Sequence, residues 1–330
     1  MLIPFFRKHF FLLLFLLLPI SFLLGCSLGS EFYSMEALFF PEGKFAPTLL
    51  AKSRLIQILA AFLAGSSLAL AGAVYQAVLR NILAEPYILG VSSGSALGAA
   101  LAFLTGGALL TPLALPLFAA LGAILSLGMV LFLGFRKKGA GGNDLLLSGI
   151  IVGSILSSLL MALVSMASTK EMCGLAWWLL GDLAAVDPSL LFFFSLTTPL
   201  LAIFLFLLAP CANLLSLGEE YAYSMGINPK RNAFFLILFA SLLVSQVVAL
   251  AGIISFVGLI VPHIIRKLYR GDNRYLFPAS FLGGGIYLIL CDTLSRSIFP
   301  EREIPIGVIT ALAGGPLFLF LLQRKEGKNG

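Results

Sequence analysis

Two carboxylates stand side by side at Glu219 and Glu220, inside a polar stretch, 216–226, of a chain that is otherwise largely apolar. In hydrocarbon each would cost roughly 2.5–3.5 kcal/mol or more, so the stretch belongs in water or against another protein. It is too short to fold alone. The rest of the chain offers no nucleotide site and no catalytic cluster, so no catalytic residue is expected. The pair reads as a handle that another protein grips. The other reactive side chains are scattered. Cys26, Cys173, Cys211 and Cys291 show no CxxC spacing, and His9 and His263 are isolated, so neither a disulfide framework nor a metal site is expected. Asp292 and Arg296 lie four apart, which suits either an ion pair along one helix face or, with Lys52, Arg54 and Arg302, an external basic patch for an acidic partner.

These residues must be carried by membrane-spanning helices. The chain has 330 residues, 60% hydrophobic and 11% charged, against about 25% charged in a soluble domain. The net charge of +6 reflects loop topology rather than nucleic-acid binding, because no clustered basic face exists. At about 20 residues per crossing, uncharged stretches give ten spans: 10–30, 55–79, two within 87–135, 145–169, 188–209, two within 232–265, 275–297 and 304–323. The first pair divides at Thr105-Gly106-Gly107 and Thr111-Pro112. The second divides at Ala251-Gly252, leaving its later helix short or irregular. Leu23-Leu24-Gly25-Cys26 has the look of a lipoprotein cleavage box, but the first helix is expected to be retained.

Ten spans leave both termini on one side. With the N-terminus inside, about fifteen Lys and Arg fall in cytoplasmic segments and about six outside, which is the positive-inside arrangement. The 216–226 island is then cytoplasmic, between the sixth and seventh spans. In the second span Ala61, Gly65, Ala69 and Ala73 form one small-residue face, and Gly149, Gly153 and Ser157 repeat it in the fifth. Such faces let helices approach closely in lipid. Gln76 precedes a sharply bent connection through Asn81, Pro86 and Gly90, where Ser92-Ser93-Gly94 opens the third span with serine as its cap. Pro262, beside His263, kinks the eighth helix and frees carbonyls that need partners.

Several motifs resemble those of the FecCD-like permease subunits of bacterial ABC importers for iron-siderophores, haem and vitamin B12. They are Gly72-Ala73-Val74-Tyr75-Gln76, Arg80-Asn81-Ile82-Leu83-Ala84-Glu85-Pro86, Leu89-Gly90-Val91-Ser92-Ser93-Gly94, Trp178-Leu179-Leu180-Gly181 and Leu217-Gly218-Glu219-Glu220. The stretches 256–266 and 305–310 complete the series, so the resemblance covers about 54–324. It implies an all-α polytopic protein, a single transmembrane permease domain over 1–330 of the type II importer kind, in the bacterial cytoplasmic (inner) membrane.

The resemblance further implies a homodimer around a central pathway, two cytoplasmic ABC ATPase subunits, and an extracytoplasmic substrate-binding protein. No cofactor is expected on this chain, since ATP and Mg belong to the ATPase partner. By motif position Leu217, Gly218, Glu219, Glu220, Ala222 and Gly226 would form the ATPase-coupling loop. Arg54, Arg296 and Arg302 would dock the binding protein. Gln76, Asn81, Gly141, Gly142, Asn143, Pro262 and His263 would line or gate the pathway. The sequence departs from the family at Ile82, where Pro is usual, at Lys52-Ser53-Arg54, which reduces an Arg-Pro-Arg entry, and in the glycine-rich 139–142 turn.

The alternative classes are less well served by these residues. A secondary transporter or channel calls for intramembrane carboxylates or a filter, and beyond Asp292 there are few candidates. A membrane enzyme calls for an acidic or histidine cluster. The identity of the chelate is beyond the sequence.

Overall fold

The computed structural model describes residues 2–28, 45–106, 111, 113–136, 142–184, 186–269, 271–298 and 304–326. Ten of its helices correspond one by one to the ten spans. They are α1 (Leu2–Ser27), α2 (Phe45–Val78), α3 (Val91–Leu104), α4 (Ala114–Arg136), α5 (Gly142–Met166), α7 (Pro188–Leu207), α10 (Pro229–Ala251), α11 (Val257–Leu268), α12 (Asn273–Ile298) and α13 (Ile306–Glu326). Between them lie α6 (Thr169–Leu179), α8 (Ala209–Leu217), α9 (Glu219–Ser224) and a 3-10 turn at Pro86–Leu89. Among the described residues, seven helices are long and apolar enough to cross a bilayer. The protein is a multi-pass membrane protein.

α3 has 14 residues and α11 has 12. At about 1.5 Å per residue each reaches only about 20 Å, short of a hydrocarbon core of about 30 Å. A full crossing at either helix would therefore draw on the segments ahead of them, 80–90, which includes the 3-10 turn, and 252–256. Irregular backbone is tolerated at that depth only where protein covers it or a cavity hydrates it.

Helix ends follow local chemistry. Asp187 accepts the Ser189 and Leu190 amides ahead of Pro188, and Asn228 accepts the Arg231 amide ahead of Pro229. Ser168 and Glu171 form a reciprocal capping box at α6. The cap expected from Ser92 or Ser93 does not form. Gly90, left-handed at φ 76°, holds that position, and the chain enters α3 one residue earlier, at Val91. The Ser93 hydroxyl instead meets Ser157 of α5 at 3.3 Å.

Small residues set the packing. A methyl group on Gly65 of α2 would strike the Gly284 carbonyl of α12, and one on Gly284 would strike the Gly65 carbonyl. Gly94 of α3 and Gly122 of α4 oppose each other in the same way. Gly149 of α5 receives the backbone of Ile88 and Leu89. The main core gathers around α2, with α10, α11 and α12, and a smaller one joins α3, α4, α5 and α6 through Ala96, Ala99, Ala119, Leu160 and Leu175. Inside the main core, the Tyr75 hydroxyl is hydrogen-bonded to Ser241, a polar tie between α2 and α10.

Candidate functional site

The island is a firm turn. Gly218 (φ 126°) breaks the chain between α8 and α9, and Gly226 (φ 83°) turns it towards α10. Ala222 is fully buried, and its carbonyl accepts the Ile227 amide at 3.3 Å. One small residue thus pins α9, while Leu217, Tyr221, Tyr223 and Met225 stand exposed around Glu220. Glu219 is half-buried. Behind the turn, the Asn213 side chain donates to Asp272 and accepts the Asn273 amide at 2.9 Å, fixing α8 to the start of α12. The arrangement presents aromatic and carboxylate groups on a supported surface, as a protein-docking site requires.

The second feature is the elbow 252–256 between α10 and α11. Gly252 is left-handed (φ 73°), and a side chain there would strike the Trp178 carbonyl. The elbow's backbone groups find partners from outside their own helices. Glu85 accepts the Phe256 amide at 2.8 Å and the Tyr87 hydroxyl accepts the Ile254 amide at 3.1 Å. The Ala251 carbonyl accepts the Asp182 amide at 2.9 Å. Just beyond, Pro262 leaves the Gly258 carbonyl without its helical donor, because proline has no N–H. The Gln76 amide fills that role, 3.4 Å from the Gly258 carbonyl and 3.3 Å from that of Leu259. Gly72, one turn earlier on α2, lets the helices touch there, since a methyl group at that position would collide with Gly258. Gln76 and Pro262, separate in sequence, are therefore one unit.

A third polar group lies at the end of the bundle away from the island. Asp292 and Arg296 form a buried ion pair at 2.8 Å. The Gln57 amide donates to Asp292 at 3.2 Å. The Arg296 guanidinium also donates to the Gly25 carbonyl at 3.4 Å, and that of Arg54 to the Cys26 carbonyl at 3.2 Å. Beside them is a cavity of about 210 Å³ whose lining includes Gln57, Trp177, Asp182, Asp292, Ser295 and Pro305. Ligand pockets run to roughly 300–1,000 Å³, so this space is too small for a bulky chelate.

A transporter-family model, the FecCD transport family, matches residues 13–324. The chain belongs to that family. It is 32% identical over 324 residues to the uncharacterized ABC transporter permease protein YvrB of Bacillus subtilis, covering 94% of this chain and 92% of the relative. It is 36% identical over 276 residues to the vitamin B12 import system permease protein BtuC of Klebsiella pneumoniae, covering 84% of this chain and 82% of the relative. A solved ABC transporter, assigned to the metal-chelate type and captured in an inward-facing conformation, superposes with a TM-score of 0.82 at 33% identity. That match covers 94% of this chain and 97% of the other.

In this FecCD-family chain the gate and docking candidates occupy distinct settings. Asn81 closes a turn, its side-chain oxygen accepting the Leu83 amide at 2.9 Å. His263 is half-buried on α11. Gly142 and Asn143 open α5, while Gly141 and Arg302 lie outside the described residues. Arg54 and Arg296 are 8% and 3% exposed. The helix-face ion pair is thus formed, and both guanidiniums point inward in this conformation. Sequence reasoning missed Gln57, Glu85 and Tyr87. Glu85 carried one signal, a carboxylate directly before Pro86 at the head of a long uncharged stretch.

Proposed function

We propose that this chain is the permease subunit of an ATP-driven ABC importer that moves a metal chelate across the cytoplasmic membrane by alternating access. The observation that carries the reading is the island. A FecCD-family chain presents one rigid, exposed turn of aromatic and carboxylate side chains, and the chain itself holds no nucleotide motif. The work of ATP is therefore assigned to two separate ATPase subunits, with ATP and Mg bound there and no cofactor on this chain. Leu217, Gly218, Glu219, Glu220, Ala222 and Gly226 form the surface or the support on which those subunits dock.

Two copies of the chain enclose the pathway. The cavity beside Asp292 is narrower than a chelate such as an iron-siderophore, haem or cobalamin needs, which supports a passage formed between two copies. Gln76 with Pro262 and His263, and Asn81 with the 141–143 turn, border that passage towards the cytoplasm. An extracytoplasmic binding protein delivers the substrate. Its docking on Arg54, Arg296 and Arg302 requires the two buried guanidiniums to turn outward, or to act by positioning the α1–α2 and α12 ends that they hold.

Charge reversal of the island tests the reading. In Glu219→Lys/Glu220→Lys, co-purification with the ATPase subunits and ATP-dependent uptake should both fall while the fold persists. Unchanged assembly and uptake would remove the island from the mechanism.

A further inference from the structure

Two non-glycine residues among those described have left-handed backbone, Arg80 at φ 52° and Phe256 at φ 69°. Such conformations cost energy and persist where the surroundings over-determine them, often at functional sites. The two are far apart in sequence, yet they sit at opposite ends of one physical connection. Arg80 begins the 80–87 segment, with its guanidinium beside Gly218 at the root of the island. Phe256 begins α11, and its amide is held by Glu85 near the other end of the same segment.

The segment between them is wedged tightly. The Pro86 ring fills the space over Gly258 of α11, and Ile88 and Leu89 fill that over Gly149 of α5. The Asn81 turn stiffens its start, with the Ala84 amide also bonded to the Asn81 carbonyl at 3.1 Å. Glu85 and Tyr87, two residues apart, bond the amides of Phe256 and Ile254, also two apart. The elbow has no helical or strand ladder of its own for these amides, so those two side chains set its backbone.

We propose that the 80–87 segment is a strut linking the island to the elbow, with Glu85 and Tyr87 as positioning residues that make the elbow follow movement at Gly218. This rests on the reading of the island as the ATPase-docking surface. Side-chain bonds of this kind can be remade as a unit when one packed element shifts against another, which suits a transition between discrete states.

The test uses the full complex in membranes. Ser255 is replaced by cysteine after Cys26, Cys173, Cys211 and Cys291 are changed to serine, and its reaction with a maleimide is timed with and without ATP plus vanadate. With the strut intact, the two rates should differ by about tenfold, the size one biasing hydrogen bond can produce. Glu85→Ala should abolish the difference, and Glu85→Gln, which keeps an acceptor oxygen, should restore it.

Tyr87→Phe removes only a hydroxyl and should reduce the difference; it decides the matter if Glu85→Ala fails to co-purify with the ATPase. A nucleotide-dependent rate that survives both Glu85→Ala and Tyr87→Phe overturns the strut, as does its absence in the parent. Survival in those variants alongside its loss in Glu219→Lys/Glu220→Lys rejects the strut alone. Survival in the island variant with normal co-purification rejects the island reading itself.

Discussion

Gln76 should be needed because of Pro262, and a double-mutant cycle measures that dependence. In α11 the Gly258 carbonyl lacks its helical donor, and the Gln76 amide at 3.4 Å is the partner found for it. Gln76→Leu keeps much of the side-chain volume but leaves this carbonyl unsatisfied, at a cost of about 1–3 kcal/mol. It also removes the Gln76 side-chain oxygen, which is buried with no hydrogen-bond partner, so part of that cost is returned. The net destabilisation should be about 1–2 kcal/mol.

In a Pro262→Ala background the new amide donates to the Gly258 carbonyl along the helix, and the Leu259 carbonyl already has the His263 amide at helical spacing. Gln76→Leu should then be neutral or slightly stabilising, giving a coupling of about 1–2 kcal/mol between the two sites. Unfolding of all four variants in mixed micelles by SDS titration supplies the numbers. Additivity within about 0.5 kcal/mol would refute the pairing of Gln76 with the proline-freed carbonyl.

Gly72→Ala places a methyl group against the Gly258 carbonyl, where backbone lies on both sides and nothing flexible can yield. Overpacking of about 1–3 kcal/mol should lower the thermal midpoint in detergent, and an unchanged midpoint would show that the α2–α11 contact is looser than described. Asp292→Asn leaves the buried Arg296 charge without its counter-ion and should cost about 3–5 kcal/mol, while Asp292→Leu with Arg296→Met should recover most of that loss; equal losses in the two would contradict the pair.

Much of the architecture was legible because membrane helices announce themselves by length and polarity. The break at Gly252, the short helix after it and the need for a carbonyl partner near Pro262 all follow from backbone chemistry in the sequence. What supplied that partner did not, because Gln76 and Gly258 meet only through the crossing of α2 and α11. The same holds for Gln57 with Asp292 and for Glu85 with Phe256, which are long-range contacts without a local period. The serine cap failed for a different reason. Gly90 can adopt the left-handed turn that ends the 3-10 segment, so the chain enters α3 one residue before a serine could cap it. Counting spans put Arg54 and Arg296 at the same end of the bundle, but topology alone does not say whether a guanidinium faces water or a carbonyl.

Reconstitution separates an ATP-driven importer from a carrier that runs without an ATPase. The chain would be purified with its ATPase subunits, placed in proteoliposomes and supplied with the binding protein loaded with cyanocobalamin, haemin or a ferric hydroxamate. At least one chelate should cross only when ATP is present on the island side, and Glu219→Lys/Glu220→Lys should stop it. Chelate movement driven by an ion gradient in the absence of the ATPase would contradict the account and identify a secondary transporter.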